Sequence, residues 1–401
     1  MNLAEQLRVL QAAQGDPAKL ALATVDLKYP GLSEQERTTL KTALEAAAIP
    51  HWCDPAILAA LLEISPEESA SFLVQLRGLA VVERFLARGS TAVNVHETSR
   101  LAVRQSLATG QTDRFLALSA RAEKHFEADL SPAGRIERMF HRLWLNPKEA
   151  GSEIRQMEFD LRHKIDDGSA LAASLHECIS DDSAPPLVQC WACWTAGTVE
   201  APYLKIGRRL ELASRGLHYA EAAESDYAIA TVDVLIGDVL FERGLPGDAQ
   251  KALVHYQRSL AIYERLLKAN PESAQAARDV SVSVGRLGDY LASRGLAGDA
   301  QKALVHYQRM LGVCERLLKA NPDSAQAARD VAILHFKFSQ LHQRHGEGQK
   351  AKRSLAACFA VLNLFAQRGH PMDSQMQALH AKLASIFDRA GSKLHKRRAS
   401  K

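Results

Sequence analysis

The chain has 401 residues, 47% of them apolar and 24% charged, and its formal net charge is +4. This is an ordinary soluble globular composition, long enough for two or more cores, and its charge does not by itself indicate a nucleic-acid binder. The six cysteines are too sparse to indicate a disulfide framework, and no apolar run has the length of a membrane span. The first residues lack a signal peptide, so we expect a cytoplasmic protein without membrane association.

Apolar spacing and capping residues predict several successive helices in the N-terminal third of the chain. Residues 1–32 contain LAEQLRVLQAA and AKLALATVDL, which indicate an N-terminal helical segment. A capping box at Ser33–Glu36 predicts a helix to about Ala48, and Asp54-Pro55 predicts the start of a second. A further capping box at Ser65–Glu68 predicts the start of a third.

Two short strands, Ala80–Leu86 and Thr91–His96, are predicted to follow as a hairpin, and TSRLAVRQSL is predicted to close the set as a helix. Three helices, a hairpin and a helix form the order of a winged helix. We therefore predict a winged-helix-like domain over residues 33–125.

The charge of this domain argues against DNA binding. In a DNA-reading winged helix, the second helix of the helix-turn-helix enters the major groove. The corresponding segment, Pro66–Leu79, starts with two glutamates and has one basic residue, Arg77. The hairpin adds only Arg84 and Arg88, which are few contacts for a phosphate backbone.

The segment from HWCDPAILAALLEI to TSRLAVRQSL resembles the winged-helix segment of STAND-type signalling NTPases, which joins an NTPase core to a repeat array. Val95-His96-Glu97 stands where that family has a triplet whose histidine approaches the nucleotide. No G-x-x-x-x-G-K-[ST] occurs in the chain, so the sequence lacks the phosphate-binding loop of an NTPase core. We expect His96 to be satisfied by packing at the junction of hairpin and helix.

Residues 126–219 are predicted to form degenerate helical repeats, because RIERMFHRLWLN and EAGSEIRQMEFDLRHKI both have spaced apolar residues. Within them, LVQCWACWTAG contains a C-x-x-C. A zinc site is the alternative there, with four candidate ligands, His176, Cys178, Cys190 and Cys193. We favour a buried helix whose cysteines fill the core, and we expect no metal and no cofactor.

The clearest signal is an internal repeat over residues 220–390. GDAQKALVHYQR occurs twice, and Arg243–Val280 matches Arg294–Val331 at 32 of 38 positions with an offset of 51. Val280, Val284, Leu287 and Leu291 form a helical apolar stripe in which Gly288 permits close approach of another helix. Each unit therefore predicts an antiparallel pair of helices of about 20 residues, stacked on its neighbours.

Residues typical of helix ends support this unit. Gly295 is predicted to end the first helix, Asp299 to N-cap the second, and Asn321-Pro322 to end it. The unit resembles an elongated tetratricopeptide (TPR) repeat through Leu287-Gly288, Gly295, Ala303, Tyr307 and Asn321-Pro322. The fold class is thus predicted as mainly α, a winged-helix-like domain followed by an α-solenoid of TPR-like helical hairpins.

The TPR resemblance implies a protein- or peptide-binding array whose first helices line the concave face. Counting from Leu287 gives the partner-binding candidates Asp238, Glu242, Arg286, Asp289, Ser293, Lys337, Gln340 and Arg344. The alternative is that these residues are an ordinary solvated helix face. Catalysis needs a unique convergence of groups, so the near-identical repeats argue against an active site within them.

We predict a non-enzymatic protein- or peptide-binding scaffold or sensor, and the resemblance implies a bacterial signalling or defence system of the STAND type. The alternatives are a peptide-responsive winged-helix transcription regulator and the regulatory subunit of a separate effector enzyme. The last residues, 391–401, end in KLHKRRASK and are predicted to be a basic disordered tail. The sequence leaves self-association open.

Overall fold

The structure is a computed structural model that describes residues 2–161, 164–370, 372 and 376–387, apart from the side chain of Ile165. The chain is mainly α-helical and divides into two compact units, one of Met1–Ser225 and one that begins at Asp226. Successive helices pack in pairs, which is the arrangement of an α-solenoid. Within the described ranges, no helix is both long and apolar enough to span a bilayer. The predicted basic tail lies outside the described residues.

The first unit begins with helices whose starts match the predicted caps. Ser33 and Glu36 form a reciprocal capping box, and the Asp54 carboxylate accepts from the Ile57 amide. The Ser65 hydroxyl likewise accepts from the Glu68 amide. The helices are α1 (Leu3–Ala12), α2 (Pro17–Lys28), α3 (Glu34–Ala47), α4 (Pro55–Leu62) and α5 (Pro66–Leu76).

A two-stranded antiparallel hairpin follows, as predicted, but its strands are shorter. They are β1 (Val82–Arg84) and β2 (Val93–Val95), with Val82 opposite Val95. Pairing stops early because Leu86–Arg88 forms a single 3₁₀ turn and Gly89 has a φ of 117°. The closing helix is α6 (Glu97–Gly110). The predicted element order is therefore present, whereas the winged-helix interpretation of it stays a prediction.

The rest of the first unit is helical, as predicted for residues 126–219. Helix α11 contains the C-x-x-C and is buried over most of its length, with Trp191 fully enclosed. A Cβ on Gly151 would lie 2.2 Å from Trp191 Cζ2, so this glycine lets α9 approach α11 closely. The helices are α7 (Thr112–Phe126), α8 (Pro132–Leu145), α9 (Pro147–Leu161), α10 (Ile165–Ile179), α11 (Pro186–Val199) and α12 (Ile206–Ala222).

The second unit consists of the predicted helix pairs. The helices have 18 to 22 residues each, which agrees with the length predicted from the repeat. Residues 376–387 are also helical. The helices are α13 (Asp226–Arg243), α14 (Asp248–Ala269), α15 (Ala274–Arg294), α16 (Asp299–Ala320), α17 (Ala325–Arg344) and α18 (Gly348–Gln367).

Within the first two pairs, a glycine of the first helix faces a tyrosine of the second. A Cβ on Gly288 would lie 2.6 Å from Tyr307 Cε1, and one on Gly237 would lie 2.4 Å from Tyr256 Cε1. The expected role of Gly288 as a point of close helix approach is therefore confirmed. In the third pair, Ser339 stands at the position of the glycine and Cys358 at that of the tyrosine.

The turn between paired helices differs from the prediction in one detail. Gly295 ends α15 in a left-handed conformation, as predicted, but the N-cap of α16 is Gly298 rather than Asp299. Asp299 is the first helical residue and is buried; its carboxylate accepts from Arg294 Nη2 at 2.6 Å and from the Leu296 amide. The carboxylate is thus used to close the turn instead of capping the helix.

Candidate protein-binding surface

The eight predicted partner-binding residues fall at three equivalent positions of the repeat, each 51 residues apart. They lie on α13, α15 and α17, the first helix of each pair, and we call them the first-helix surface. One position holds Arg286 and Lys337, and the next holds Asp238, Asp289 and Gln340. The third position holds Glu242, Ser293 and Arg344.

Four residues of the first-helix surface connect one helix pair to the next by ion pairs. Arg286 Nη2 lies 2.7 Å from Asp238 Oδ2, and Lys337 Nζ lies 2.6 Å from Asp289 Oδ1. The two bridges are related by the 51-residue offset, so the same contact is made twice. Because each bridge joins neighbouring pairs, it contributes to the interface on which a repeat array depends.

The same aspartates also fix the second helix of their own pair. Tyr256 donates its hydroxyl to Asp238 at 2.8 Å, and Tyr307 donates to Asp289 at 2.7 Å. Burial, with the neighbouring carboxylate, raises the pKa of both tyrosines, so both are neutral donors at physiological pH. In the third pair, Gln340 stands at the position of the aspartate, so this position has no carboxylate there.

The remaining members of the first-helix surface are exposed: Glu242, Ser293, Gln340 and Arg344. At one equivalent position the three pairs thus present an acid, a hydroxyl and a base in turn. Four of the eight predicted residues therefore hold the array together, and four have side chains that a partner can reach.

The cysteines considered for a zinc site lie in the core of the first unit. Cys178, Cys190 and Cys193 are buried, whereas the His176 imidazole is partly exposed and lies 3.0 Å from the Glu200 carboxylate. Burial raises the pKa of Cys193 to about 11, which disfavours the thiolate that a metal requires. Within the described residues, no three His, Cys, Asp or Glu side chains are placed to hold a metal ion.

His96 lies at the junction of β2 and α6, where the sequence places it. Its backbone amide donates to the Val81 carbonyl at 2.8 Å, and its ring Nε2 lies 3.7 Å from the Glu83 carboxylate. The side chain is about half exposed, so it has local contacts without being enclosed.

Sequence reasoning missed a buried charged cluster in the first unit, formed by His51, Arg100, Arg104, Glu137 and Glu177. His51 Nδ1 lies 2.9 Å from Glu137 Oε2, and the His51 amide donates to Glu137 Oε1 at the same distance. Arg100 binds Glu177 through both terminal nitrogens, and Arg104 Nε lies 3.7 Å from Glu177. The cluster joins the loop after α3 to α6, α8 and α10.

The cluster keeps its carboxylates ionised despite burial. Burial opposes the charge of Glu137, but His51 and His141 hold its pKa well below the usual range. Burial likewise opposes the charge of Glu177, and His51, Arg100 and Arg104 hold its pKa low. The Arg104 guanidinium lies against aromatic rings, 4.5 Å from the centroid of Phe140, so its apolar faces are also covered.

A cleft of about 650 Å³ lies beside the buried charged cluster, and this volume is typical of a small-ligand pocket. Its walls come from the hairpin and from α6, α8 and α10. Trp52 and Phe85 supply aromatic surface, and the Arg88 guanidinium carbon lies 5.4 Å from the centroid of Trp52. The cleft therefore combines aromatic walls with charged groups from several elements.

The sequence holds a partial signal for this cluster. Arg100 and Arg104 lie four residues apart on α6, and Glu137 and His141 lie four apart on α8, each among apolar neighbours. Such spacing places both charges on one helix face that also carries core residues. It does not show which helices meet, and pairs of this kind are more often solvated.

Comparison with known proteins gives a limited result. No protein-family model matches this chain, and no curated protein matches it. A crystal structure of BtubC (BKLC) from P. vanneervenii is similar over 65% of this chain and 93% of that chain, at 15% sequence identity and a TM-score of 0.41. A likeness at this level identifies no family, and the description of the fold rests on the helix pairs themselves.

Proposed function

We propose that this protein is a non-enzymatic scaffold or sensor that binds a protein or peptide along the first-helix surface. The observation that supports it is the set of exposed side chains at one equivalent position, Glu242, Ser293 and Arg344. The near-identity of Arg243–Val280 and Arg294–Val331 begins one residue after this position, which changes from acid to hydroxyl to base across the three pairs. A partner that extends across the three pairs meets a different chemical group on each, which is how an array gains specificity.

The ion pairs between helix pairs prepare this surface. Asp238–Arg286 and Asp289–Lys337 satisfy charges that would otherwise compete for water or for the partner. They also fix the spacing of α13, α15 and α17, so the exposed residues one turn further on are held at regular intervals. Preorganised side chains lose less conformational freedom when a partner binds.

In this proposal, residues 33–125 act as a winged-helix docking module, as in the STAND-type proteins that the segment resembles. The order of three helices, hairpin and helix supports it, and so does an isolated antiparallel bridge between Cys53 and Val93. The His96 side chain lies near Glu83 and is half exposed. In this proposal it does not bind a nucleotide. The signalling or defence context comes from the resemblance alone.

The DNA-binding alternative is disfavoured by the placement of the basic residues. Glu67 and Glu68 are exposed at the start of α5, where a phosphate backbone would be repelled. Arg77, the one base at the end of that helix, donates to the Thr91 carbonyl. Salt-sensitive DNA binding that disappears on reversing Arg77, Arg84 and Arg88 would overturn this assignment.

The test is affinity capture by the full chain from its native cell, followed by quantitative mass spectrometry. A triple variant, Ser293→Glu, Gln340→Lys and Arg344→Glu, changes only exposed positions. The matched control is Lys302→Glu, an exposed charge reversal on α16. We expect the triple variant to lose a partner that the wild type and the control retain.

Two outcomes would contradict the proposal. One is a partner captured equally by the wild type and the triple variant. The other is a catalytic turnover that the purified chain performs alone. Far-UV circular dichroism of each variant shows whether the helical array is intact, so that loss of a partner is not a loss of fold.

A further inference from the structure

The cleft beside the buried charged cluster has a lining that is net acidic. Four carboxylates and two guanidinium groups line it, which gives a formal charge of −2 with His51 and His176 neutral and −1 with His51 protonated against Glu137: Glu97, Glu137, Asp167, Glu177, Arg88 and Arg100. The cluster already uses Glu137 and Glu177, which pair with His51 and Arg100. Within the described residues, Glu97 and Asp167 have no cationic partner, so their charge is available to a ligand.

A buried acceptor in the same lining also has no donor. Asn94 Oδ1 is enclosed and accepts no hydrogen bond from any described group. A buried polar atom in this state costs free energy, and a ligand that carries N–H groups would remove that cost if the Asn94 side chain turned its oxygen towards the cleft. The acceptor and the uncommitted carboxylates therefore select the same kind of ligand, one that donates and is positively charged.

The aromatic wall already holds a cation of this kind. Arg88, exposed on the hairpin, places its guanidinium 5.4 Å from the centroid of Trp52. Aromatic faces attract guanidinium groups, and the planar group stacks on indole. Because Arg88 lines the cleft and has no carboxylate partner among the described residues, its side chain can move away from the ring. The Arg88 guanidinium thus shows which kind of group the aromatic wall of the cleft can bind.

We propose that this cleft binds an arginine side chain presented by a peptide or protein partner, with Trp52 stacking on the guanidinium and Asp167 and Glu97 supplying the countercharge. Arg88 covers the Trp52 face in the absence of the partner and gives way to it. The site lies wholly in the first unit, so it is separate from the first-helix surface and does not depend on the proposed function.

The test uses the full chain and a capped tripeptide, acetyl-Gly-Arg-Gly-amide, with the binding measured by calorimetry. The control ligand has citrulline in place of arginine, which keeps the shape and removes the charge. We expect the arginine peptide to bind about tenfold more tightly than the citrulline peptide, and this difference to shrink at high salt.

Three variants distinguish a built site from general attraction. Asp167→Asn is expected to weaken binding several-fold, whereas Asp166→Asn, an exposed neighbour outside the lining, leaves it unchanged. Arg88→Ala is expected to tighten binding, because the competing guanidinium is removed. Arg344→Glu in the second unit has no effect on this peptide, so failure of one proposal is separable from failure of the other.

The opposite results overturn the inference. Equal affinity for the arginine and citrulline peptides, or no binding of either at millimolar concentration, shows that the cleft does not select a guanidinium. If Arg88→Ala abolishes binding and acetyl-Gly-Glu-Gly-amide binds the wild type, the ligand is anionic and Arg88 is its partner. Circular dichroism of each variant excludes unfolding as the cause of a loss.

Discussion

The Tyr307 hydroxyl donates a 2.7 Å hydrogen bond to the carboxylate of Asp289, which also forms an ion pair with Lys337. One aspartate of α15 thus contacts α16 of its own pair and α17 of the next. The relationship is repeated 51 residues earlier by Tyr256 and Asp238. Stability within a pair and stability between pairs therefore pass through the same side chain, and the glycine before this aspartate is also the same in the two repeats.

Replacing Tyr307 by Phe is expected to destabilise the second unit by about 1–2 kcal/mol, because a hydrogen bond to a charged acceptor is lost while the ring remains. Tyr203→Phe is the matched control, since that side chain is 61% exposed. All four tryptophans lie in the first unit, so tryptophan fluorescence does not report this change. Amide hydrogen exchange of α15–α17 reports the loss of stability. Unchanged exchange would contradict the role assigned to the hydrogen bond between Tyr307 and Asp289.

Gly288→Ala is expected to cost about 1–3 kcal/mol, because the new Cβ would lie 2.6 Å from the Tyr307 ring and force the two helices apart. Gly312→Ala in α16 is the control. Its Cβ meets only the end of Arg316 at 3.9 Å, so a gain of about 0.5–1 kcal/mol is expected from helix propensity. Thermal unfolding followed by circular dichroism measures both changes, and equal destabilisation by the two would refute the packing argument.

The repeat could be predicted from sequence because its signals are local. Apolar spacing, Gly295 and Asn321-Pro322 fix helix lengths and ends without any knowledge of what packs where. The position of Asp299 could not be predicted from these rules, because its ion pair with Arg294 competes with capping. Capping of the helix and the ion pair with Arg294 both need the Asp299 carboxylate, and the sequence does not show which of the two it forms.

The candidate surface was predicted in part for the same reason. Counting along the repeat identifies equivalent positions, but it does not distinguish exposed Arg344 from Lys337, which is bound to Asp289. The cleft was missed because it is formed by segments far apart in the chain, such as Trp52 and Asp167. No local pattern reports which helices bring these side chains together.

Stability of the first unit is expected to fall as the pH drops below about 6.5, the ordinary histidine value. Burial lowers the pKa of His141, so between the two values the unfolded chain binds a proton that the folded chain excludes. By linkage, the stability that depends on neutral His141 is fully present above the pKa of histidine in the unfolded chain. It is lost as the pH falls towards the lower pKa of His141 in the folded chain. Below about pH 4.3, protonation of Glu137 and Glu177 continues the loss, since their folded pKa values are lowered.

His141→Gln is expected to flatten the stability profile just below about pH 6.5, because the amide does not titrate. His218→Gln, at an exposed position, is the control and is expected to leave the slope unchanged. Urea unfolding followed by tryptophan fluorescence measures this, since the tryptophans report the first unit. A profile that is flat for the wild type would show that His141 is not excluded from protonation.

The six cysteines are expected to resist alkylation in the native protein. All are buried, and burial raises the pKa of Cys193 to about 11 and of Cys314 to about 12, which leaves little thiolate at pH 8. Iodoacetamide treatment followed by intact-mass measurement should add six groups only after unfolding. Rapid native labelling of Cys190 or Cys193 would show that α11 opens to solvent. Protection that a zinc chelator removes would instead support the metal alternative, because a chelator leaves a thiol shielded only by packing as unreactive as before.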